Sequence, residues 1–313
     1  MNSAAGGAAG GGRAGLMRYA LLGLGIVGLS MAGVLYKLTS APIVAIVGYR
    51  MILAVAMLLP LLYLSRRSTS AQRQAPVARS DIGAAAASGT LFALDVTLWA
   101  LSIQFTSVSS AALLVSMDPI FVAVFAAIIF GERPSWHMVA GMAVAAGGAA
   151  VITVGDFHIS GRALIGDALA LAAAFAETGY LLLGRHVRKR VDTLRYVFIV
   201  YSACAAVVWL AVLVLRVPTA ISGHDIIVCA ALALFPTVLG HTLVSKSLGH
   251  MPAAVVAFAF LSQPIMTAAL AYLVLHQIVA PLTAIGGTIA LIGIGVVVFA
   301  NERYVASAPP QPI

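Results

Sequence analysis

The sequence predicts an all-α membrane protein in which ten transmembrane helices form two inverted five-helix repeats. Of its 313 residues, 62% are hydrophobic and only 9% are charged. A soluble domain of this length does not need so much apolar surface, so most of the chain is expected to lie in lipid. Two further observations support this fold class: ten apolar segments of spanning length, and a repeat within the chain.

The ten apolar segments are each close to the roughly 20 residues that a helix needs to cross a bilayer. In chain order they are 17–37, 42–64, 82–101, 108–130, 136–154, 164–183, 193–215, 226–245, 252–275 and 281–300. We number them as predicted spans one to ten. The links between them are short, which predicts a single bundle without a soluble domain.

The positively charged residues predict the orientation of the spans. The net charge of +8 does not indicate nucleic-acid binding, because Lys and Arg fall in the gaps between apolar segments. With the N-terminus inside, the outer loops contain only Lys37, Arg162 and Arg216. The inner loops and tails contain Arg13, Arg18, Arg66, Arg67, Arg73, Arg79, Arg133, Arg185, Arg188, Lys189, Arg190, Lys246 and Arg303. Positive residues accumulate on the cytoplasmic side. We therefore expect both termini in the cytoplasm, and a multi-pass protein of the cell membrane, specifically a bacterial inner membrane.

The two halves of the chain, 17–154 and 164–300, match at an offset of 145 residues. Each half has an odd number of spans, so the halves must have opposite orientations, an arrangement found in transporters. Small residues spaced for close helix packing occur in both halves, and they can act within the subunit or between subunits of a homodimer. The matching residues include Arg50 with Arg195, Pro119 with Pro264, and Gly141, Ala145 and Gly148 with Gly286, Ala290 and Gly293.

Three features make the chain resemble the EamA-type branch of the drug/metabolite transporter superfamily. They are Arg50 early in span two, the stretch LWALSIQFTSVSSAALL that leads into span four, and DPIFVAVFAAIIFGERPSW, which contains Gly131-Glu132-Arg133. The second half departs from the pattern, because His276-Gln277 stands where the first has Gly131-Glu132. The resemblance implies a ten-helix bundle around a central cavity that moves small metabolites, often outward. It divides the chain into a disordered cytoplasmic tail (1–15), two EamA-like five-helix repeats (16–155 and 156–303) and a second cytoplasmic tail (304–313).

Asp118 is the first candidate for substrate binding or coupling. It lies about ten residues, or roughly 15 Å, into span four, near the midplane, where an acid costs about 2.5–3.5 kcal/mol. Pro119 follows it and removes a backbone donor, so we expect a bend and a freed carbonyl group that faces protein or water. Gln263 and Pro264 occupy the equivalent positions in span nine. The alternative is that Asp118 is protonated and only stabilises the bend.

Four further polar or aromatic residues are candidates for the same site. Asp95 lies in span three with Trp99 one turn later on the same face, and an acid beside an aromatic ring can bind a cationic or amine-bearing solute. The alternative is a hydrogen bond from Asp95 to a serine or threonine of span four. Glu177 lies in span six with Tyr180 three residues later, and a lipid-facing position would reject this acid.

Other polar residues of the spans have mainly structural explanations. Arg50 is too deep for an interfacial anchor and is expected to pair with an inward acid or to cap freed carbonyl groups. His241 follows a break expected at Pro236 and should face the interior, where a single histidine is more often structural than a ligand. Cys204 and Cys229 lie in apolar runs without metal-ligand spacing, so we expect small core residues and no disulfide scaffold.

These features together predict a secondary active transporter, an exporter or exchanger of a small organic metabolite or drug, that works by alternating access. Protons are the candidate coupling ion, acting through Asp118. The excess of acids favours zwitterionic or cationic solutes, such as amino acids, amines or amphipathic drugs. No P-loop is present, so ATP-driven efflux is not expected, and neither a cofactor nor a metal is predicted.

Two alternatives come from other functional classes. An intramembrane enzyme would use embedded acids as catalysts, but the chain lacks both a Gly-x-Gly-Asp turn and a His-Glu-x-x-His pattern. The sequence therefore predicts that the protein is not an enzyme. A receptor or scaffold built on a transporter fold would lack transport altogether.

Overall fold

The computed structural model describes residue 17 and residues 20–68, 77–118, 120–121, 124–125, 128, 135–159, 161–188, 190–248 and 262–307. These residues form helices, turns and short links, with no strand among them. The helices are α1 (Ala20–Lys37), α2 (Ile43–Ser68), α3 (Arg79–Ser102), α4 (Val108–Val115), α5 (Trp136–Ile159), α6 (Ala163–Arg188), α7 (Thr193–Val214), α8 (Gly223–Leu232), α9 (Thr242–Leu248), α10 (Gln263–Leu275) and α11 (Pro281–Ser307). A π-helical segment, Ala233–His241, joins α8 to α9.

Seven helices of the described residues are long and apolar enough to cross a membrane. They are α1, α2 as far as Ser65, α3, α5 as far as Gly155, α6 as far as Gly184, α7, and the continuous stretch Gly223–Val244. Each coincides with a predicted span. Helix α10 and the Pro281–Val297 part of α11 are shorter apolar helices. Spans four and nine lie partly outside the described residues, so the count of ten spans stays a prediction.

Helices α5 and α11 pack together through glycine residues. A Cβ atom at Gly141 would lie 2.9 Å from the carbonyl oxygen of Gly293, and one at Gly286 would lie 2.7 Å from that of Gly148. Larger side chains would therefore push the helices apart. Because Gly141 is equivalent to Gly286, and Gly148 to Gly293, the contact is reciprocal and the helices run antiparallel. This is the packing of two units related by a twofold axis, as inverted repeats require, and it lies within one subunit.

A turn occurs at equivalent places in the two halves. Helix α4 ends at Val115, Ser116 and Met117 form a turn, and the chain is helical again at Asp118. In the second half, a turn at Ser262 precedes α10, which has Pro264 in its first turn. The predicted bend in span nine therefore coincides with the start of a helix. Pro119, predicted to bend span four, lies outside the described residues.

The largest buried cluster joins α2, α3, α6 and α7, with contributions from α1, α4, α5, α8 and α11. Cys204 and Cys229 are buried within it as free thiols, which confirms that they are small core residues. Leu210, Leu213 and Val214 on α7 are more than half exposed. Apolar side chains that face outward in this way suit a helix bundle surrounded by lipid.

Candidate functional site

Arg50 is the largest fully buried side chain among the described residues, at 2% exposure. Its Nε donates to the hydroxyl of Thr237 at 2.8 Å, and its Nη1 donates to the hydroxyl of Tyr36 at 2.7 Å. The guanidinium carbon also lies 5.6 Å from the centre of the Tyr36 ring, within cation–π range. Arg50 thus binds hydroxyl groups directly, whereas the sequence predicted an acid or a free carbonyl group as its partner.

The three predicted acids lie near one another. Asp95 on α3 is 6% exposed and lies within electrostatic range of Glu177, Arg50 and Asp118. Asp118 likewise lies within range of Glu177. We call Asp95, Asp118 and Glu177 the acid cluster. Its members come from α3, from the helical turn after α4, and from α6, so only the folded bundle brings them together.

The hydrogen bonds around the acid cluster bear on the alternative that Asp95 bonds to a serine or threonine of span four. In the part of the chain that the structure describes, no hydrogen bond joins Asp95 to a serine of α4. Ser116 instead donates to the carbonyl of Ala112 at 2.8 Å, and Ser107 and Ser110 bond to each other at 2.9 Å. The described residues contain no group of three histidine, cysteine or acidic side chains arranged to hold a metal ion.

Three aromatic rings surround Phe92, which lies one turn before Asp95 on the same face of α3. The Phe92 ring lies 5.0 Å from that of Tyr180, 5.7 Å from that of Tyr201 and 5.2 Å from that of His241. We call these four residues the aromatic cluster. Sequence analysis named Tyr180 and His241 but missed Phe92 and Tyr201. Phe92 could have been found, since it precedes Asp95 by three residues and so shares its face; Tyr201 stands in an apolar run without such a signal.

Trp99 lies on the other side of Asp95, one turn later in α3. Its ring contacts that of Tyr36 edge-on, with the centroids 6.0 Å apart. The indole Nε1 of Trp99 is buried, and it has no hydrogen-bond partner among the described residues. Tyr36, which sequence analysis also missed, therefore links Trp99 to Arg50.

Gln263, predicted as the counterpart of Asp118, is held against α1. The backbone carbonyl oxygen of Gln263 accepts a hydrogen bond from the Ser30 hydroxyl at 3.4 Å. Thr267, on the same helix, donates to the backbone carbonyl of Ser30 at 3.4 Å. In the other half, the carbonyl oxygen of Asp118 accepts from Thr178 on α6 at 3.3 Å. Helices α1 and α6 are the first spans of their halves, so both halves use the same kind of contact at this point.

The sequence matches the model of one protein family, described as the EamA-like transporter family, over residues 17–154 and again over 164–299. The chain belongs to the EamA-like transporter family. The two matches coincide with the two halves that the internal repeat predicted. Family membership and the seven apolar helices make the chain a multi-pass membrane protein.

One curated relative is a protein of Streptantibioticus cattleyicolor named "Probable terminal-alkyne amino-acid exporter". This EamA-family chain is 28% identical to it over 191 residues, which make up 59% of the chain and 62% of the relative. The match therefore spans less than two thirds of that relative. A solved structure described as "Crystal structure of protein" is similar in fold, with a TM-score of 0.61 and 16% sequence identity. That likeness covers 90% of this chain and 96% of the other, and shows the fold alone.

Proposed function

We propose that this family member is a secondary active transporter that exports or exchanges a small organic solute bearing an amine group. The observation that carries the proposal is the acid cluster, in which Asp95, Asp118 and Glu177 from three helices lie in electrostatic range. Acidic side chains inside a membrane protein are costly, and they characteristically mark the path of a solute or an ion.

The charge balance of the site supports an amine as the recognised group. The site contains three carboxyl groups and one buried arginine, Arg50, which lies within electrostatic range of Asp95, so the site as a whole attracts positive charge. The aromatic cluster adds ring faces that bind organic cations through cation–π attraction. The unpaired Nε1 of Trp99 supplies a hydrogen-bond donor for an anionic or carbonyl group. An amino acid, with an ammonium and a carboxylate group, would use both features, and the related protein's name specifies an amino-acid exporter.

Protons are the proposed coupling ion. Removal from water disfavours the charged form of a carboxyl group, and neighbouring carboxylates repel one another. A solute ammonium group that enters the acid cluster would therefore displace a proton, and solute release would allow a proton to return. We assign the coupling role to Asp118, since Gln263 stands in its place in the other half and cannot titrate.

Two equivalent contacts at opposite ends of the bundle support alternating access. Asp225, in the first turn of α8, accepts hydrogen bonds from the backbone N–H and the hydroxyl of Ser40, both at 2.9 Å. Asp81, in the first turn of α3, lies 3.7 Å from the guanidinium group of Arg190. Helices α3 and α8 are the third spans of their halves, and Ser40 and Arg190 lie in the equivalent links before the second spans.

We call these the outer contact (Asp225–Ser40) and the inner contact (Asp81–Arg190). We infer from the inverted orientation of the halves that they lie on opposite membrane faces. The outer contact is short and partly buried, with Asp225 only 1% exposed, whereas the inner contact is longer and its Arg190 side chain is 61% exposed. We infer that the outer contact holds the external side closed, and that the two contacts strengthen in turn as the halves move. We also infer that both termini lie in the cytoplasm of a bacterial cell and that the two repeats span 16–155 and 156–303.

A reconstituted flux assay tests this function. Proteoliposomes loaded in turn with labelled amino acids, aliphatic amines and carboxylic acids should release amine-bearing solutes and retain the acids. Asp95→Asn and Glu177→Gln should each reduce release at least tenfold, because each removes a charge that binds the ammonium group. Asp192→Asn is the matched control, since Asp192 only caps α7 and asparagine caps equally well. Release of none of these solutes by the folded wild type would contradict the proposal.

A further inference from the structure

The π-helical segment Ala233–His241 begins where an α-helix would lack one backbone hydrogen bond. In an α-helix, the carbonyl of Leu232 would accept from residue 236, but Pro236 has no N–H. A π-turn contains one extra residue and brings Thr237 to the same carbonyl. The Thr237 hydroxyl donates to the Leu232 carbonyl oxygen at 2.9 Å.

Thr237 connects this segment to three other helices. Its hydroxyl oxygen accepts from Nε of Arg50 on α2, and Arg50 in turn donates to Tyr36 on α1. Its carbonyl oxygen accepts from the hydroxyl of Tyr201 on α7 at 3.1 Å. Thr237 is completely buried, so water cannot replace these partners.

The equivalent helix of the first half has no such feature. Helix α3 is α-helical throughout Arg79–Ser102, and Phe92 occupies the position that corresponds to Thr237. The repeat alone therefore does not explain the hydrogen-bond chain from Tyr36 through Arg50 and Thr237 to Leu232. The π-helical segment is specific to the second half, and it lies on the helix that carries His241 to the aromatic cluster.

We propose that Arg50 and Thr237 are positioning residues that fix the π-helical segment and so set the orientation of His241 against Phe92 in the candidate site. Loss of the one extra residue in the π-turn would rotate everything after it by about 100°, the angle per residue of an α-helix. His241 would then leave the aromatic cluster. The consequence for solute binding rests on the proposed function, whereas the consequence for the segment itself does not.

Amide hydrogen exchange of the whole protein in nanodiscs, read by mass spectrometry, tests the positioning directly and needs no solute. Thr237→Val removes the hydroxyl group and keeps the shape of the side chain. Arg50→Gln removes the guanidinium group that donates to Thr237. Both should speed exchange of residues 233–241 by roughly threefold to tenfold, the range expected for one lost hydrogen bond. Thr237→Ser should restore the wild-type rate. Thr288→Val is the matched control, since the hydroxyl of Thr288 donates to the carbonyl of Ala284 within its own helix.

A second readout distinguishes positioning from general loss of structure. The double variant Arg50→Gln/Thr237→Val should exchange no faster than either single variant, because both act through one chain of hydrogen bonds. For a solute that the wild type transports, Thr237→Val should raise KM at least fivefold with a smaller change in the maximal rate, and Thr237→Ser should recover the KM. Should Thr237→Val fail to fold, Tyr36→Phe removes the acceptor of Arg50 and serves the same comparison.

The outcomes separate this inference from the proposed function. Unchanged exchange in residues 233–241 of folded Thr237→Val, or equal acceleration by Thr288→Val, would overturn the positioning role. Additive effects in the double variant would also overturn it. Faster exchange in a protein that transports no solute would support the positioning role and reject only the transport function.

Discussion

The hydroxyl group of Thr178 on α6 donates a hydrogen bond to the backbone carbonyl of Asp118 at 3.3 Å. The same hydroxyl hydrogen is shared with the carbonyl of Ala174 in its own helix, at 2.9 Å, and Thr178 is completely buried. Asp118 lies where the helix resumes after the turn at Ser116 and Met117. The contact therefore ties the acid of the fourth span to the helix that carries Glu177, and it fixes the separation of two members of the acid cluster.

Replacement of Thr178 should disturb the acid cluster without removing an acid. Thr178→Val is isosteric but cannot donate, so we expect a loss of about 0.5–1.5 kcal/mol in stability and a clear fall in transport rate. Thr178→Ser keeps the hydroxyl and should retain most of the transport. Thermal unfolding and flux in proteoliposomes measure the two effects. Full transport by Thr178→Val would show that the contact does not position Asp118.

The glycine contact between α5 and α11 gives a prediction about stability. A Cβ atom at Gly148 would clash with the backbone of Ala290 and would lie 2.6 Å from the carbonyl oxygen of Gly286. Gly148→Ala should therefore destabilise the protein by about 1–3 kcal/mol, the usual cost of overpacking. Gly147→Ala is the control, because nothing lies within 4 Å of its Cβ position. Equal thermal stability of the two variants would contradict the packing.

The outer and inner contacts should have opposite effects on access to the site. Ser40→Ala and Asp225→Asn weaken the outer contact, so the external side should open more often, while Asp81→Asn should favour the opposite state. A cysteine at Ser109, which is buried near the start of α4, reports access in a background of Cys204→Ala and Cys229→Ala.

An impermeant thiol reagent added outside should label this cysteine several times faster in Ser40→Ala and Asp225→Asn than in the parent. Labelling should be slower in Asp81→Asn. The same change in rate for the outer and inner variants would argue against alternating contacts.

Reporter fusions test the orientation of the chain. The distribution of positive residues places Ser102 outside and Arg190 inside. A reporter that is active only in the cytoplasm should therefore be inactive when fused after Ser102 and active when fused after Arg190. The reverse pattern would invert both contacts relative to the membrane and reject the assigned outer side.

Apolar length predicted the seven spanning helices correctly, because a helix in lipid must satisfy its own backbone and needs little tertiary information. The offset of 145 residues between Gly141 and Gly286 likewise predicted the inverted packing of α5 and α11. The sequence also named Asp95, Asp118 and Glu177 as candidate site residues. The sequence alone did not predict that these three acids lie close together, because their separation depends on how α3, α4 and α6 pack.

Other features depend on hydrogen bonds that no local pattern reveals. Pro236 predicted a break in the eighth span. It did not predict that the helix would continue as a π-helix in which Thr237 bonds to the Leu232 carbonyl. Arg50 was expected to pair with an acid or to cap freed carbonyl groups, whereas its hydrogen-bond partners are the hydroxyl groups of Tyr36 and Thr237. Tyr36 and Tyr201 stand in apolar runs where an aromatic residue has no distinguishing mark, so only the folded structure shows their place beside the site.

The role of Asp118 is the central claim, and a pH gradient across a proteoliposome membrane tests it most directly. Asp118→Asn keeps the size of the side chain and removes its titration. The account predicts that this variant still exchanges labelled solute across the membrane but no longer accumulates it in response to the imposed gradient. The wild type and Asp192→Asn should both accumulate it. Full gradient-driven accumulation by Asp118→Asn would contradict the account and leave Asp118 as a structural residue of the bend.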